Sequence, residues 1–239
     1  MRISRTSKKI GRVSTGIEGL DPLIDNGFKE KTINLVAGGA GSGKTIFAMQ
    51  FLIDGIKKGE TGIYITFEER KKKTYEDMLT FGWDLAKYEK EGKFVFLEYT
   101  PEQVRKILVE GGGPIESTIE KIKAKRLAID SITSFSLLYE DELTKKEAAL
   151  SLFDLINEWG CTAVITSQEV EKRGATITAA LEFEVDSIIF LYHSKMNGFR
   201  RRGLEILKMR GTKIPEKTYP LVIDKSGIKI DTKRMIRLR

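Results

Sequence analysis

The 239-residue sequence predicts an α/β fold: a mostly parallel central sheet flanked by helices, with an antiparallel extension at its C-terminal end. Three observations predict it. Short apolar runs recur along the chain, segments of helical period lie between the earlier ones, and after about residue 200 this alternation gives way to short strand-like runs separated by turns. Strands buried on both faces and alternating with helices imply parallel pairing.

The first buried strand is Ile33-Asn34-Leu35-Val36-Ala37, and Thr45–Ile53 reads as the packed helix after it. Further strands are predicted at Gly62–Phe67, Phe94–Leu97, Arg126–Asp130, Thr162–Thr166 and Ser187–Leu191. Helical period is found around Tyr75–Phe81, Gln103–Val109, Ile115–Lys125 and Lys145–Trp159, with Gly111-Gly112-Gly113-Pro114 as an interrupter. Gly203–Met209, Tyr219–Ile223 and Gly227–Ile230 are the short strands of the extension, the last two joined by a turn at Ser226-Gly227.

Five scattered prolines and the absence of low-complexity tracts or repeats predict one domain over residues 1–239, with basic tails at 1–12 and 231–239. The one cysteine, Cys161, excludes an intramolecular disulfide framework and reads as a small buried residue opening a strand. No apolar stretch approaches the roughly 20 residues that span a bilayer, and Met1-Arg2-Ile3-Ser4-Arg5 has no apolar signal core. A cytoplasmic protein without a membrane partner is therefore expected.

The net charge of +7 is uneven: residues 1–12 carry five basic side chains and no acid, and residues 200–239 carry thirteen basic and four acidic ones. The remainder is acidic. Such ends attract polyanions, including nucleic acid, or meet the acidic face of a neighbouring subunit.

Residues 38–45 read Gly38-Gly39-Ala40-Gly41-Ser42-Gly43-Lys44-Thr45, a complete G-x-x-x-x-G-K-[ST] phosphate loop between a predicted strand and a helix. Its glycines let the backbone turn tightly and aim N–H groups inward, and with the helix N-terminus, where Ile46 follows, they form a nest for phosphate oxygens. Lys44 is expected to reach the β- and γ-phosphates of ATP or ADP, and the Thr45 hydroxyl to ligate Mg²⁺.

In an open parallel sheet the ligand lies at the carboxyl ends of the strands. Asp130, closing Leu127-Ala128-Ile129, suits a carboxylate that holds Mg²⁺, and its alternative is a helix cap or Asx turn. Glu68 and Glu69 close another strand and suit polarisation of the attacking water. Arg70-Lys71-Lys72-Lys73 behind them makes plain charge pairing the alternative. Ser167, Gln168 and Glu169 either sense the γ-phosphate or cap a loop. His193 reads as a strand-end residue with a satisfied ring.

The segment Ser14-Thr15-Gly16-Ile17-Glu18-Gly19-Leu20-Asp21, the phosphate loop, TFEER at 66–70, AIDSIT at 128–133 and KMRGT at 208–212 resemble the KaiC family in order and approximate spacing. The resemblance covers nearly the whole chain and implies a RecA-like ATPase core, commonly a hexameric homo-oligomer with ATP between subunits. By it, Glu68 and Glu69 are the catalytic glutamates, Asp130 is the Walker B aspartate, and Lys208 and Arg210 are cationic fingers inserted toward a neighbour's γ-phosphate. Asp224 resembles a position near the adenine of the adjoining subunit. The clock protein of the family carries two such domains and this chain one, so autokinase activity is not implied.

Phosphoryl transfer spreads negative charge over the γ-phosphate oxygens, and a guanidinium supplied in trans accelerates hydrolysis by roughly 10³- to 10⁵-fold. Lys208 and Arg210, two positions apart, share a face if the strand continues through both. Two alternatives to the ring ATPase stand. One is a RecA/RadA-like or helicase-like DNA-binding ATPase whose loops after Asp130 and Ser167, with Lys172-Arg173, line a pore. The other is a nucleotide-loaded scaffold with negligible turnover. A GTPase is disfavoured because no Asn-Lys-x-Asp motif is present.

Overall fold

The computed structural model describes residues 11–110, 113–136, 138–168, 184–196 and 198–236. Most of the basic N-terminal stretch, Gly111-Gly112, Glu169, Lys172-Arg173 and the last three residues of the C-terminal tail lie outside them.

Hydrophobic patterning on two faces builds the sheet. The central strands β3 (Ile33–Gly38), β4 (Gly62–Thr66) and β6 (Arg126–Asp130) are buried at every position. Because side chains alternate, Leu35, Ile63, Ile65, Leu127 and Ile129 enter one core, while Val36, Tyr64 and Ala128 enter the other. Helix α1 (Lys44–Lys57) contributes Phe47, Phe51 and Leu52 to the second core. Opposite it, α4 (Pro101–Glu110), α5 (Gly113–Ile122) and α7 (Glu142–Trp159) supply Val104, Ile115, Ile119, Leu152, Phe153 and Ile156 to the first. The ends of α7 follow from local chemistry. The Asp141 carboxylate accepts the Thr144 N–H at 2.8 Å, and Gly160, at φ 65°, takes the left-handed C-cap.

The remaining elements are β1 (Arg12–Val13), β2 (Phe28–Lys29), α2 (Lys71–Leu79), α3 (Leu85–Lys90), β5 (Phe94–Glu98), α6 (Ile132–Ser136), β7 (Thr162–Gln168), β8 (Ser187–Met196), β9 (Phe199–Met209), β10 (Tyr219–Asp224) and β11 (Gly227–Ile230). The nine-stranded sheet runs β11-β10-β9-β8-β3-β7-β6-β4-β5. From β8 to β5 neighbouring strands are parallel, and β9, β10 and β11 are added antiparallel. The predicted α/β class with its antiparallel extension is thus the fold observed. β1 and β2 form a separate antiparallel ribbon that pairs Arg12 with Lys29.

Several details differ from the sequence reading: β1 and β2 were not read as strands, and β8 continues to Met196 beyond the expected Leu191. The short helices α3 and α6 were not predicted. β9 begins at Phe199, not Gly203, so the arginines at 200–202 lie within a hairpin. β9 ends at Met209 and a register shift falls at Ile188/Ile189, so Arg210 lies beyond the strand and Lys208 and Arg210 do not share one regular strand face.

A buried cation ties the edges of this framework together. Arg126 is 1 % exposed, its Nε donates to Glu60 Oε2 at 2.5 Å, and its Nη1 donates to the carbonyls of Ser14 at 2.8 Å and Phe51 at 2.7 Å. Asp54 lies 3.1 Å from Nη1, and the guanidinium sits over the Phe51 ring.

Candidate active site

Parallel register brings the carboxyl ends of four strands to one rim. Gly38 at the end of β3 pairs with Gln168 of β7, and Thr66 at the end of β4 pairs with Asp130 of β6. The phosphate loop leaves β3 at this rim and enters α1. Gly41 (φ 71°) and Gly43 (φ 109°) occupy backbone conformations that favour glycine, and a Cβ on Gly43 would fall 2.9 Å from Ile223 Cδ1. The loop is closed by Ser42 N–H donating to Gly39 O at 3.3 Å and by Phe47 N–H donating to Gly43 O at 2.9 Å. A cleft of about 450 Å³ opens over it, lined by Gly41, Gly43, Lys44, Thr45, Ile46, Arg202 and Ile223.

Asp130 is the centre of the polar chemistry. Its Oδ2 accepts hydrogen bonds from Thr45 Oγ1 and Tyr64 OH, both at 2.7 Å, and its Oδ1 accepts one from Thr166 Oγ1. The carboxylate therefore faces the loop hydroxyl and does not cap the following helix, which removes the Asx-turn alternative. Burial, then the charge of Asp130 and the hydrogen bond to it, push the Tyr64 phenol well above its ordinary pKa, so Tyr64 stays a donor. Among the described residues no group of three His, Cys, Asp or Glu converges on a point. One carboxylate beside one hydroxyl fits a Mg²⁺ that would keep waters and take phosphate oxygens as its other ligands.

Lys44 folds back on its own loop, its Nζ donating to Gly39 O at 3.0 Å. Burial lowers its pKa, and the carboxylates of Asp130 and Glu68 act in the opposite sense. A partly desolvated ammonium at the start of a helix is suited to polyphosphate oxygens. Ser42 Oγ nearby is buried without a hydrogen-bond partner among the described residues.

The two glutamates are held by one hydroxyl: Thr66 Oγ1 accepts the N–H of Glu68 at 3.3 Å and of Glu69 at 3.0 Å. Their side chains then diverge. Glu68 accepts from Ser131 Oγ at 3.0 Å and from Ser134 Oγ, beside Asp130, whereas Glu69 pairs with Lys73 at 3.7 Å. The charge-pairing alternative thus describes Glu69. Gln168 N–H donates to Thr133 Oγ1 at 2.7 Å, linking the ends of β7 and β6.

The hairpin of β8 and β9 adds two residues that motif reading did not assign to the loop. Cross-strand partners His193 and Arg202 both touch it: His193 Nδ1 lies 3.3 Å from Ala40 O, and Arg202 Nε donates to Gly41 O at 2.9 Å. No motif in the sequence marked either contact.

Lys208 and Arg210 are not brought to this rim. Lys208 pairs with Ile188 near the start of β8 and its Nζ donates to Val185 O at 2.8 Å. Arg210 N–H donates to Asp186 O at 2.8 Å, and Asp186 N–H in turn donates to Ile33 O at 2.9 Å, at the start of β3. They therefore lie at the opposite rim of the sheet. Asp224 lies at the end of β10. It follows Ile223, which lines the chain's own cleft, and its carboxylate accepts from Ser226 and Lys229. Those hydrogen bonds hold its pKa down to about 2. Cys161 is buried, and burial raises its thiol to about 11, which leaves it protonated and without a part in the site.

No helix among the described residues is long and apolar enough to cross a membrane. The family description "ATPase: KaiC" matches residues 13–235. The chain is 36 % identical over 237 residues to the circadian clock protein KaiC3 of Synechocystis, with 95 % of this chain and 47 % of that protein covered. A UPF0273 protein of Pyrococcus furiosus is 35 % identical over 233 residues, covering 92 % of this chain and 93 % of its own. The chain thus spans about half the length of the cyanobacterial relatives and nearly all of the archaeal one. Among solved structures, a KaiC-like protein of Pyrococcus horikoshii is 38 % identical, with a TM-score of 0.83, over 93 % of this chain and 99 % of that one. A phosphate loop at the rim of a RecA-like sheet, the Asp130 centre and a match over residues 13–235 together show that the chain belongs to the KaiC family of ATPases.

Proposed function

We propose that the chain, as one ATPase domain over residues 1–239, binds ATP with Mg²⁺ at the phosphate loop. In this reading it hydrolyses ATP to ADP within a ring of identical subunits, a hexamer, with the nucleotide between neighbours. Residues 38–46 cradle the phosphates, Lys44 contacts the β- and γ-oxygens, and Arg202 closes the loop from the hairpin side. Thr45 and Asp130 hold Mg²⁺, which when bound supplies neutralisation of the phosphate charge. Glu68, directed toward Lys44 and Asp130, orients and polarises the attacking water, with Glu69 beside it. Asp224 stands near the adenine of the adjoining subunit's nucleotide.

The observation that carries this reading is the separation of Lys208 and Arg210 from their own loop. Cations needed at a γ-phosphate, yet carried at the opposite rim, serve a site only when a second copy is stacked head to tail. Heterologous contacts of this kind close into a ring, and a basic C-terminal part against an acidic middle favours them.

Light scattering with and without Mg-ATP tests the assembly, and steady-state phosphate release tests the turnover. The expected result is a ring-sized particle whose turnover is lost in Lys44→Ala with ATP binding, and lost in Arg210→Ala with binding kept. A fully active monomer would refute the interface, and unchanged ATP affinity in Lys44→Ala would refute the site. Tight binding with turnover equal in wild type and Glu68→Gln/Glu69→Gln would leave a nucleotide-loaded scaffold instead.

A further inference from the structure

We infer that the ribbon of β1 and β2 is a clamp that aims the finger segment, with Lys29 and Arg12 as its positioning residues. The inference rests on the proposal that Arg210 acts on a neighbouring subunit. After Met209 the finger segment has left the ladder, so its direction depends on contacts beyond the sheet. On one side Arg210 N–H is held by Asp186 O. On the other, the ribbon grips it twice.

Lys29 Nζ donates to the carbonyl oxygen of Arg210 at 2.5 Å. Arg12 Nη2 donates to Thr212 Oγ1 at 3.0 Å, while the same guanidinium is fixed by Asp25 Oδ2 at 2.7 Å and Gly27 O at 3.0 Å. Arg12 and Lys29 are direct partners across the ribbon, so the two grips form one rigid unit. Between them lies Gly211 at φ 63°, where a Cβ would fall 2.5 Å from Lys29 Nζ. The glycine is thus explained twice, by its left-handed backbone and by the ammonium seated against it. Both bonds are exposed, at least in part, so they add little to stability. Their effect is on direction, and a displacement of about 1 Å at a reacting centre can cost roughly 10²-fold in rate.

The test is a double-mutant cycle of ATP turnover with Lys29→Met, Arg210→Ala and the pair combined, in rings whose mass is checked by light scattering. Lys29→Met is expected to lower kcat about tenfold, with KM within about twofold and the melting temperature unchanged. The double variant is expected to be no slower than Arg210→Ala alone, because the clamp acts only through the finger. Wild-type kcat in Lys29→Met, where Arg210→Ala is slow, overturns the clamp and leaves the finger standing. Multiplied losses in the double variant overturn it too, since they indicate a general structural defect. Wild-type turnover in Arg210→Ala overturns the finger reading and the clamp with it. Should Lys29→Met fail to fold, Thr212→Val, which removes the acceptor of Arg12, enters the same cycle with the same expectations.

Discussion

Mixing two inactive variants gives a numerical test of the interface. β3 runs from Ile33, next to the anchor of Arg210, to Gly38, where the loop begins. Its five residue steps span ~17 Å at about 3.3 Å each. An extended arginine side chain reaches roughly 7 Å from its Cα, so the finger falls about 10 Å short of its own loop and more than this from a γ-phosphate. Arg210→Ala retains its own glutamates but presents no guanidinium to its neighbour. Glu68→Gln/Glu69→Gln retains the finger but has a disabled site. In rings assembled at random from equal amounts, a site works when its own subunit is the first variant and its finger donor the second. Each condition holds for about half of subunits, so about one quarter of sites are competent. Turnover by phosphate release should therefore rise from near zero in each variant alone to about a quarter of wild type after co-assembly, and fall again on dilution below ring dissociation. Turnover at the mean of the two parents, in rings shown to be mixed by differential tagging, would refute action between subunits.

Three other outcomes test separate parts of the structure. Arg126→Ala leaves two carbonyls without their donor and Glu60 without its cation, while Asp54 keeps Lys58 and Ser14, so urea unfolding should show a loss of about 1–3 kcal/mol; no measurable change would show that the cation is dispensable. Gly43→Ala forces a side chain into φ 109° and toward Ile223, so it should cost about 1–3 kcal/mol of stability and weaken ATP binding. Isothermal titration reads the second effect, and wild-type affinity would contradict the cradle geometry. The Cys161 thiol, raised to about 11 by burial, stays protonated as pH climbs through 8; an aromatic disulfide reagent should label it only after unfolding, and rapid labelling of native protein would contradict its burial.

The fold was legible where hydrophobic pattern alone decides structure. β3, β4 and β6 are buried throughout and therefore read as continuous apolar runs. α3 and α6 were not legible: at six and five residues they are too short for a helical period to register. The start of β9 was hidden for a different reason. Phe199, Arg200 and Arg201 stand on a two-stranded hairpin with much of their surface in water, so no core face marks them as strand. The bulge at Ile188/Ile189 is a property of pairing, invisible in either strand alone.

The site divides along the same line. The loop is contiguous, so its eight residues announced themselves, and Asp130 was conspicuous as a carboxylate closing an apolar run. Tyr64, Thr66, Thr166 and Arg202 carried no such signal, because each reaches the site only through register. Tyr64 and Thr66 stand on β4, hydrogen-bonded to β6, and Thr166 stands on β7 on the other flank of β6, so the Asp130 carboxylate meets a donor from each side. Arg202 is 161 residues from the carbonyl it binds and arrives by way of β8, which pairs with β3. A buried tyrosine or threonine on a strand is ordinarily a packing residue; what makes these donors to one carboxylate is the order β7-β6-β4, which no local pattern encodes. The same order explains why Asp130 is buried without being stranded. Three donors satisfy it from β4, β7 and α1, and the one from α1 is Thr45, the hydroxyl that a metal would share.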